Sequence, residues 1–272
     1  MENYVAVNGI RLYVERRGKG EPVLLIPGLG AANWLWQHNV HGLSRHFELI
    51  MPELRGSGRS EKPDHHYSIA LFAKDMFGLL ETLSVPRVHL IGVSMGGFIA
   101  QRLAAKWPER MGKLILVSTS LGGQNQDGPD GETLSRVIRP RGRTRRERLQ
   151  DSNQLNYTDD YLAHHASDLD CIAEWREQNP QPEFAYYRQL LAGSAYSAEN
   201  DAAKISAPTL ICAAKDDPLV PLVNAHRLRE KISNASLAIF EGKHLFFVEH
   251  SRDFNKTVVE FLSNGVFEEQ RD

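Results

Sequence analysis

Ser94 stands in Gly92-Val93-Ser94-Met95-Gly96-Gly97, between the apolar run Val88-His89-Leu90-Ile91 and a helical stretch that opens at Phe98. A serine hydroxyl becomes a nucleophile only beside a base, and the base needs an acid to orient it. The spacing G-x-S-x-G suits that chemistry. It raises the serine on a sharp, strained turn between strand and helix, with a glycine two places to either side so that the two elements can approach. The helix N-terminus behind the serine favours developing negative charge. The same residues could make a plain small-residue turn, but the strand before and the helix after favour the chemical reading.

Of the 11 histidines, His244 follows a strand in a loop with a glycine before it, Glu241-Gly242-Lys243-His244. His250 falls on or beside a helix, His164 and His165 in a polar helical stretch, and His89 inside a strand. His38, His41, His65 and His66 have loop or surface settings. An orienting acid is expected after a strand between the serine and His244. Ala213-Ala214-Lys215-Asp216-Asp217-Pro218-Leu219-Val220-Pro221 follows the strand 208–212 and offers two, Asp216 and Asp217. The competing slot, Ser118-Thr119-Ser120 after the strand 114–117, offers none.

The elements that must position these groups alternate. Val5 to Val14 reads as a hairpin about Asn8-Gly9, whose residues tolerate positive φ. Strands are expected at 22–26, 47–51, 88–91, 114–117, 208–212 and 235–240. Helices are expected at 34–46, 68–84, 98–107, 222–232 and 252–263. In 68–84 the apolar residues Ile69, Phe72, Met76, Leu79, Leu80 and Leu83 recur at helical spacing. Strand–helix alternation predicts an α/β fold with a mostly parallel sheet and helices on both faces. The alternation breaks over 122–200, which begins with glycines and continues as polar helix without strands. It reads as a helical insertion in a core made of 1–121 and 201–272, with a polar, frayed tail at 266–272.

Composition fits one large folded domain. The chain has 272 residues, 42% hydrophobic and 24% charged, with 32 Lys+Arg against 34 Asp+Glu. That near-neutral balance speaks against a general nucleic-acid or membrane-surface binder. Cys171 and Cys212 are too few for a disulfide framework. No apolar run reaches the length of a membrane helix, and residues 1–4 show no basic-then-apolar leader, so a cytoplasmic protein is expected. No metal-ligand spacing stands out, and Gly28-Leu29-Gly30 lacks the third glycine of a dinucleotide fingerprint, having Asn33 there. No metal and no cofactor are expected. Arginines 136, 139, 141, 143, 145, 146 and 148 form a dense run, read as a solvated surface balanced by nearby aspartates.

Taken together, Pro27-Gly28-Leu29-Gly30, Glu53-Leu54-Arg55-Gly56-Ser57-Gly58-Arg59-Ser60, the Ser94 corner, the acid loop and the Gly242–His244 loop occur in the order of the α/β-hydrolases. The chain resembles their esterase, enol-lactonase and non-haem haloperoxidase-like branch over nearly its whole length. The resemblance implies Ser94 as nucleophile, His244 as general base and acid, and Asp217, four residues before Pro221, as orienter. It places the oxyanion donors at the backbone N–H groups of Leu29 and Met95. Pro27 stands where the family often has His, and Glu53 where Asp is usual; the loop 53–60 is expected to be structural. The resemblance also makes 122–200 a helical lid over the serine. Candidate substrate contacts are then Gly28, Trp34, Tyr157, Trp175, Tyr187, Leu245 and Phe246. A hydrophobic small-molecule ester or lactone is the implied substrate, whether a bulky apolar ester, a macrolactone or a smaller enol-lactone. The same fold and triad also serve C–C bond hydrolases, cofactor-free haloperoxidases and small-molecule receptors.

Overall fold

Asn8 and Gly9 both take positive φ, 47° and 78°, and fold β1 (Tyr4–Val7) back onto β2 (Ile10–Arg17) as an antiparallel hairpin. The computed structural model describes residues 3–124, 126–138 and 144–264. Six further strands complete one sheet: β3 (Pro22–Ile26), β4 (Glu48–Pro52), β5 (Val88–Val93), β6 (Met111–Val117), β7 (Thr209–Ala214) and β8 (Ala235–Phe240). Their order is β1-β2-β4-β3-β5-β6-β7-β8. β2 joins β4 antiparallel, and every pairing from β4 to β8 is parallel.

Parallel strands must be apolar on both faces because crossover helices cover both. Leu24, Ile26, Leu90, Leu114, Leu116 and Ile211 point into one core. Their neighbours Val23, Leu25, Ile91, Ile115, Val117, Leu210 and Cys212 point into the other. The first core is closed by α2 (Ile69–Thr82), α3 (Met95–Lys106) and α10 (Val223–Lys231). The second is closed by α1 (Gln37–Leu43), the short α11 (Phe246–Glu249) and α12 (Ser251–Asn264). In α2 the expected stripe Ile69, Phe72, Met76, Leu79 and Leu80 is buried, and Ser68 Oγ caps the helix by accepting from Leu71 N–H at 3.1 Å.

Between β6 and β7 lie α4 (Gly131–Val137), α5 (Arg145–Asn156), α6 (Asp159–His164), α7 (Ala166–Gln178), α8 (Glu183–Ser194) and α9 (Glu199–Ala202). Thr144 and Glu147 start α5 with a capping box. The far end of this insertion is tied to α3, where Arg102 meets both oxygens of Asp201 at 2.8 and 3.0 Å and Tyr196 Oη donates to Asp201 at 2.6 Å.

Two details differ from the sequence expectation. α3 begins at Met95 instead of Phe98, because Gly96 and Gly97, poor helix formers, sit in its first turn for reasons of space given below. Within the arginine run, Arg136 pairs with Glu132 and Arg148 with Glu183. Arginines 139, 141 and 143 and the tail 266–272 lie outside the described residues.

Candidate functional site

The C-terminal ends of β5, β6, β7 and β8 converge on one place. After β5 the chain turns at Ser94, whose φ of 54° and ψ of −119° are far from any ordinary region for a side-chain-bearing residue. The flanking glycines explain how this corner closes. A Cβ at Gly96 would lie 2.2 Å from Ile26 O, one at Gly92 2.5 Å from Gly96 O, and one at Gly97 2.5 Å from Thr119 Oγ1. Ser94 N–H donates to Val117 O at 2.9 Å, and Thr119 Oγ1 donates to Ser94 O at 2.8 Å. The strained peptide is thus held on both sides by the end of β6.

His244 is buried, and its Nδ1 lies 2.8 Å from Asp217 Oδ2. The other oxygen of Asp217 accepts from Leu219 N–H at 2.8 Å and Val220 N–H at 2.9 Å. With both oxygens engaged, the carboxylate is fixed and can accept a ring N–H, leaving Nε2 as the basic nitrogen. Asp216, chemically equivalent in sequence, is exposed; it contributes a backbone N–H to Gly242 O at 3.2 Å, joining the acid and histidine loops.

Two residues that hold the histidine were not anticipated. Ser118, at φ 46°, donates its hydroxyl to His244 O at 2.8 Å. The backbone carbonyl of Asn156, at the end of α5, accepts from the N–H of Leu245, the residue after the histidine, at 3.0 Å. Ser118 could have been suspected from its place at a strand end beside the serine corner; nothing local marks Asn156.

Ser94 opens into a cavity of about 160 Å³ lined by Leu29, Met95, Phe98, Thr119, Leu190, Gly193, Leu219 and Val220, with Gln126, Gln189 and Ser194 among its polar edges. Leu29 and Met95, the residues of the expected oxyanion donors, therefore both border the serine. Gly28 packs against it, since a Cβ there would stand 3.2 Å from Ser94 Cβ. The walls mix aliphatic side chains and Phe98 with hydroxyl and amide groups, a make-up that can both hold an apolar group and orient a polar one.

The other expected substrate contacts fall elsewhere. Trp34 and Trp175 line a separate cavity of about 200 Å³ with Arg148, Arg176 and Gln181. Phe246 is fully buried and stacks on Phe240, with centroids 4.7 Å apart, in the core beneath α12. Leu245 joins that same core. Tyr157 is buried and stacks on Tyr161 at 4.9 Å; burial raises both phenols, Tyr161 to about 12. Tyr187 donates its hydroxyl to Ile138 O at 3.0 Å. Aromatic residues in the insertion mostly pack it together, while aliphatic residues and Phe98 surround the serine.

The loop 53–60 shapes the site from behind. Buried Glu53 accepts from Arg59 N–H and from the Arg59 guanidinium, and Arg55 grips Asp75 with two bonds of 2.5 and 2.8 Å. Among the described residues no group of three or more His, Cys, Asp or Glu is arranged to hold a metal, and no helix is long and apolar enough to cross a membrane.

Comparison with known proteins bears on this arrangement. A family model described as the alpha/beta hydrolase fold matches residues 21–251. The chain is 30% identical over 241 residues to a poly(3-hydroxyalkanoate) depolymerase of Ectopseudomonas oleovorans, covering 89% of this chain and 84% of that one. Among solved structures, the enol-lactonase from Burkholderia xenovorans LB400 superposes with a TM-score of 0.85 at 26% identity, over 96% of this chain and 99% of that one. A meta-cleavage product hydrolase from Pseudomonas fluorescens IP01 superposes with a TM-score of 0.83 at 25% identity, over 97% and 98% of the two chains.

Proposed function

The chain belongs to the α/β-hydrolase family, and from that premise we propose that it is a serine hydrolase cleaving a carboxylic ester or lactone through an acyl-enzyme. The observation that carries this reading is a strained, pocket-facing Ser94 after β5 and a buried Asp217–His244 pair after β7 and β8, both tied to the end of β6, where Val117 O accepts from Ser94 N–H and Ser118 Oγ donates to His244 O. Ser94 Oγ attacks the carbonyl carbon while His244 Nε2 takes its proton. The carbonyl oxygen becomes an oxyanion, received by the N–H groups of Leu29 and Met95. Each such donor contributes about 10²–10³ in rate. Collapse of the tetrahedral adduct breaks the C–O bond, and His244 returns the proton to the departing alcohol. Water then attacks the acyl-serine, gives its proton to His244 and releases the acid. Asp217 holds the ring in its tautomer and stabilises the imidazolium throughout.

The helical insertion acts as the lid, since α8 supplies Leu190, Gly193 and Ser194 to the cavity. Leu29, Met95, Phe98, Leu190, Leu219 and Val220 in the cavity lining favour a hydrophobic acyl or alcohol group. The depolymerase and the enol-lactonase among the relatives support ester or lactone cleavage. The meta-cleavage hydrolase supports a second reading, C–C bond hydrolysis by the same residues.

Hydrolysis of p-nitrophenyl acetate, butyrate and octanoate, with fluorophosphonate labelling, tests this reading. Wild type turns over esters and is labelled; Ser94→Ala stays folded and loses about 10⁴-fold or more in kcat, together with the label. Ester turnover that survives in Ser94→Ala rules the reading out. A panel of ring-cleavage diketones separates the C–C alternative.

A further inference from the structure

Gln189 is a polar side chain in the interior of α8 and is completely buried. Its amide engages three separate segments. Oε1 accepts from Gly30 N–H at 3.1 Å, in the loop that follows β3. Nε2 donates to Arg55 O at 2.9 Å and Ser57 Oγ at 2.9 Å, in the loop behind the site. Gln181, from the segment before α8, donates to the same Oε1 at 3.1 Å and to Ser57 Oγ at 3.3 Å. Every donor and acceptor of this buried amide has a partner, which is what a rigid polar network requires.

Its placement is the telling feature. Gly30 follows Leu29 directly, and the turn around them is tight: Ala31 N–H reaches back to Gly28 O at 3.3 Å, and Gly30 takes φ 67°. Gln189 also borders the serine cavity, and one turn further along α8 Gly193 borders it again. One side chain therefore anchors the peptide next to the Leu29 amide and fixes the insertion helix that walls the cavity.

We propose that Gln189 is a positioning residue: it holds the Leu29 turn where its N–H meets the developing oxyanion, and so makes oxyanion stabilisation depend on the seating of α8. This rests on the ester-hydrolysis reading above. Gln189 does not touch the reacting atoms. Its removal costs transition-state stabilisation through the turn it holds, as a small displacement of a preorganised donor does.

The test pairs Gln189→Met, similar in size but unable to hydrogen-bond, with Ser57→Ala, which removes one acceptor and leaves the Gly30 bond. For each, kcat and KM are measured on p-nitrophenyl butyrate. Inhibition by an alkyl trifluoromethyl ketone is measured beside them. Ser94 Oγ adds to the ketone carbon, His244 takes the proton, and the ketone oxygen becomes an anion in the same hole. In Gln189→Met, kcat falls about 10- to 100-fold while KM stays within about threefold. Ki for the ketone rises by the same factor as kcat/KM falls. Ser57→Ala shows a several-fold change in the same sense, and it decides the matter if Gln189→Met does not fold. Unchanged kcat in the folded variants, or a lower kcat with undiminished ketone binding, overturns the assignment. Failure of the underlying reading shows instead in wild type, which would have neither Ser94-dependent turnover nor ketone inhibition, and both proposals would fall together.

Discussion

Asp216 and Asp217 carry the same carboxylate one position apart, and surroundings alone separate them. One is exposed; the other is buried with both oxygens bonded and a ring nitrogen at 2.8 Å. His89 shows the same rule away from the site. Its Nδ1 accepts from Lys113 N–H at 2.8 Å, so that nitrogen carries no proton, and Nε2 lies 3.3 Å from Glu21. Burial is the main cause that lowers its pKa below the ordinary 6.5, outweighing Glu21, which raises it. The unfolded chain takes a proton at this residue below about pH 6.5, where the folded chain keeps it neutral. Unfolding then binds more protons, so stability rises with pH across that window. The contribution is full above the unfolded pKa and is lost as pH falls through the folded one. His89→Gln, which can still accept from Lys113 N–H, removes the titration. Thermal melts from about pH 8 to pH 5 should show the wild-type Tm falling more steeply than that of the variant. Parallel curves would mean that His89 titrates alike in both states.

At the scale of elements, spacing announced what backbone geometry requires and was silent on what tertiary contact decides. Gly92 and Gly96 were legible because no other residue fits between β5, α3 and Ile26 O. The parallel strands were legible because both of their faces are buried. The helices of the insertion carry weak apolar periodicity, so their burying faces could not be read. Aromatic type alone then pointed to Tyr157, which stacks in the core, and away from Leu190, which lines the cavity; outside the insertion, Phe246 was singled out because it flanks His244, yet it stacks in the core as well. Gln189 was invisible for a related reason: nothing in the sequence of α8 marks which face is buried, and a lone glutamine between Arg188 and Leu190 reads as solvent-facing. Gly193 is a second case. It lies near the end of α8 in an ordinary helical conformation, and a Cβ there would meet only Met95 Cγ at 3.7 Å, a normal contact. Glycine in a helix costs about 0.5–1 kcal/mol relative to alanine. Nothing in the packing demands it, but a methyl group would enter the serine cavity. Gly193→Ala should therefore raise Tm while lowering the ratio of octanoate to acetate kcat/KM. A Tm rise with an unchanged ratio would place the glycine outside the path of the acyl chain.

For the whole molecule, the question is whether the insertion is a separate domain placed over the core or part of the same cooperative unit. The sequence marks 122–200 as a helical insertion in the core, and the packing speaks for one cooperative unit. Ala192 and Ala198 belong to the core beneath α2 and α3, and Tyr157 and Tyr161 to the opposite core. Asp201 is locked to Arg102 of α3, Thr158 to Glu249 of α11, and Gln189 to two core loops. A segment that contributes to both cores cannot lose its structure without opening them, because the exposed apolar surface and the broken buried bonds belong to both partners. Hydrogen exchange followed by mass spectrometry under rising denaturant reads this directly. Peptides from α8 and α9 should lose protection at the same denaturant concentration as those from β6 and α3. Earlier loss of protection in α8 and α9, with β6 still protected, would show that the insertion opens independently. The Leu29 turn would then lose its anchor in a state that keeps the core intact, and activity would fall before the fold does.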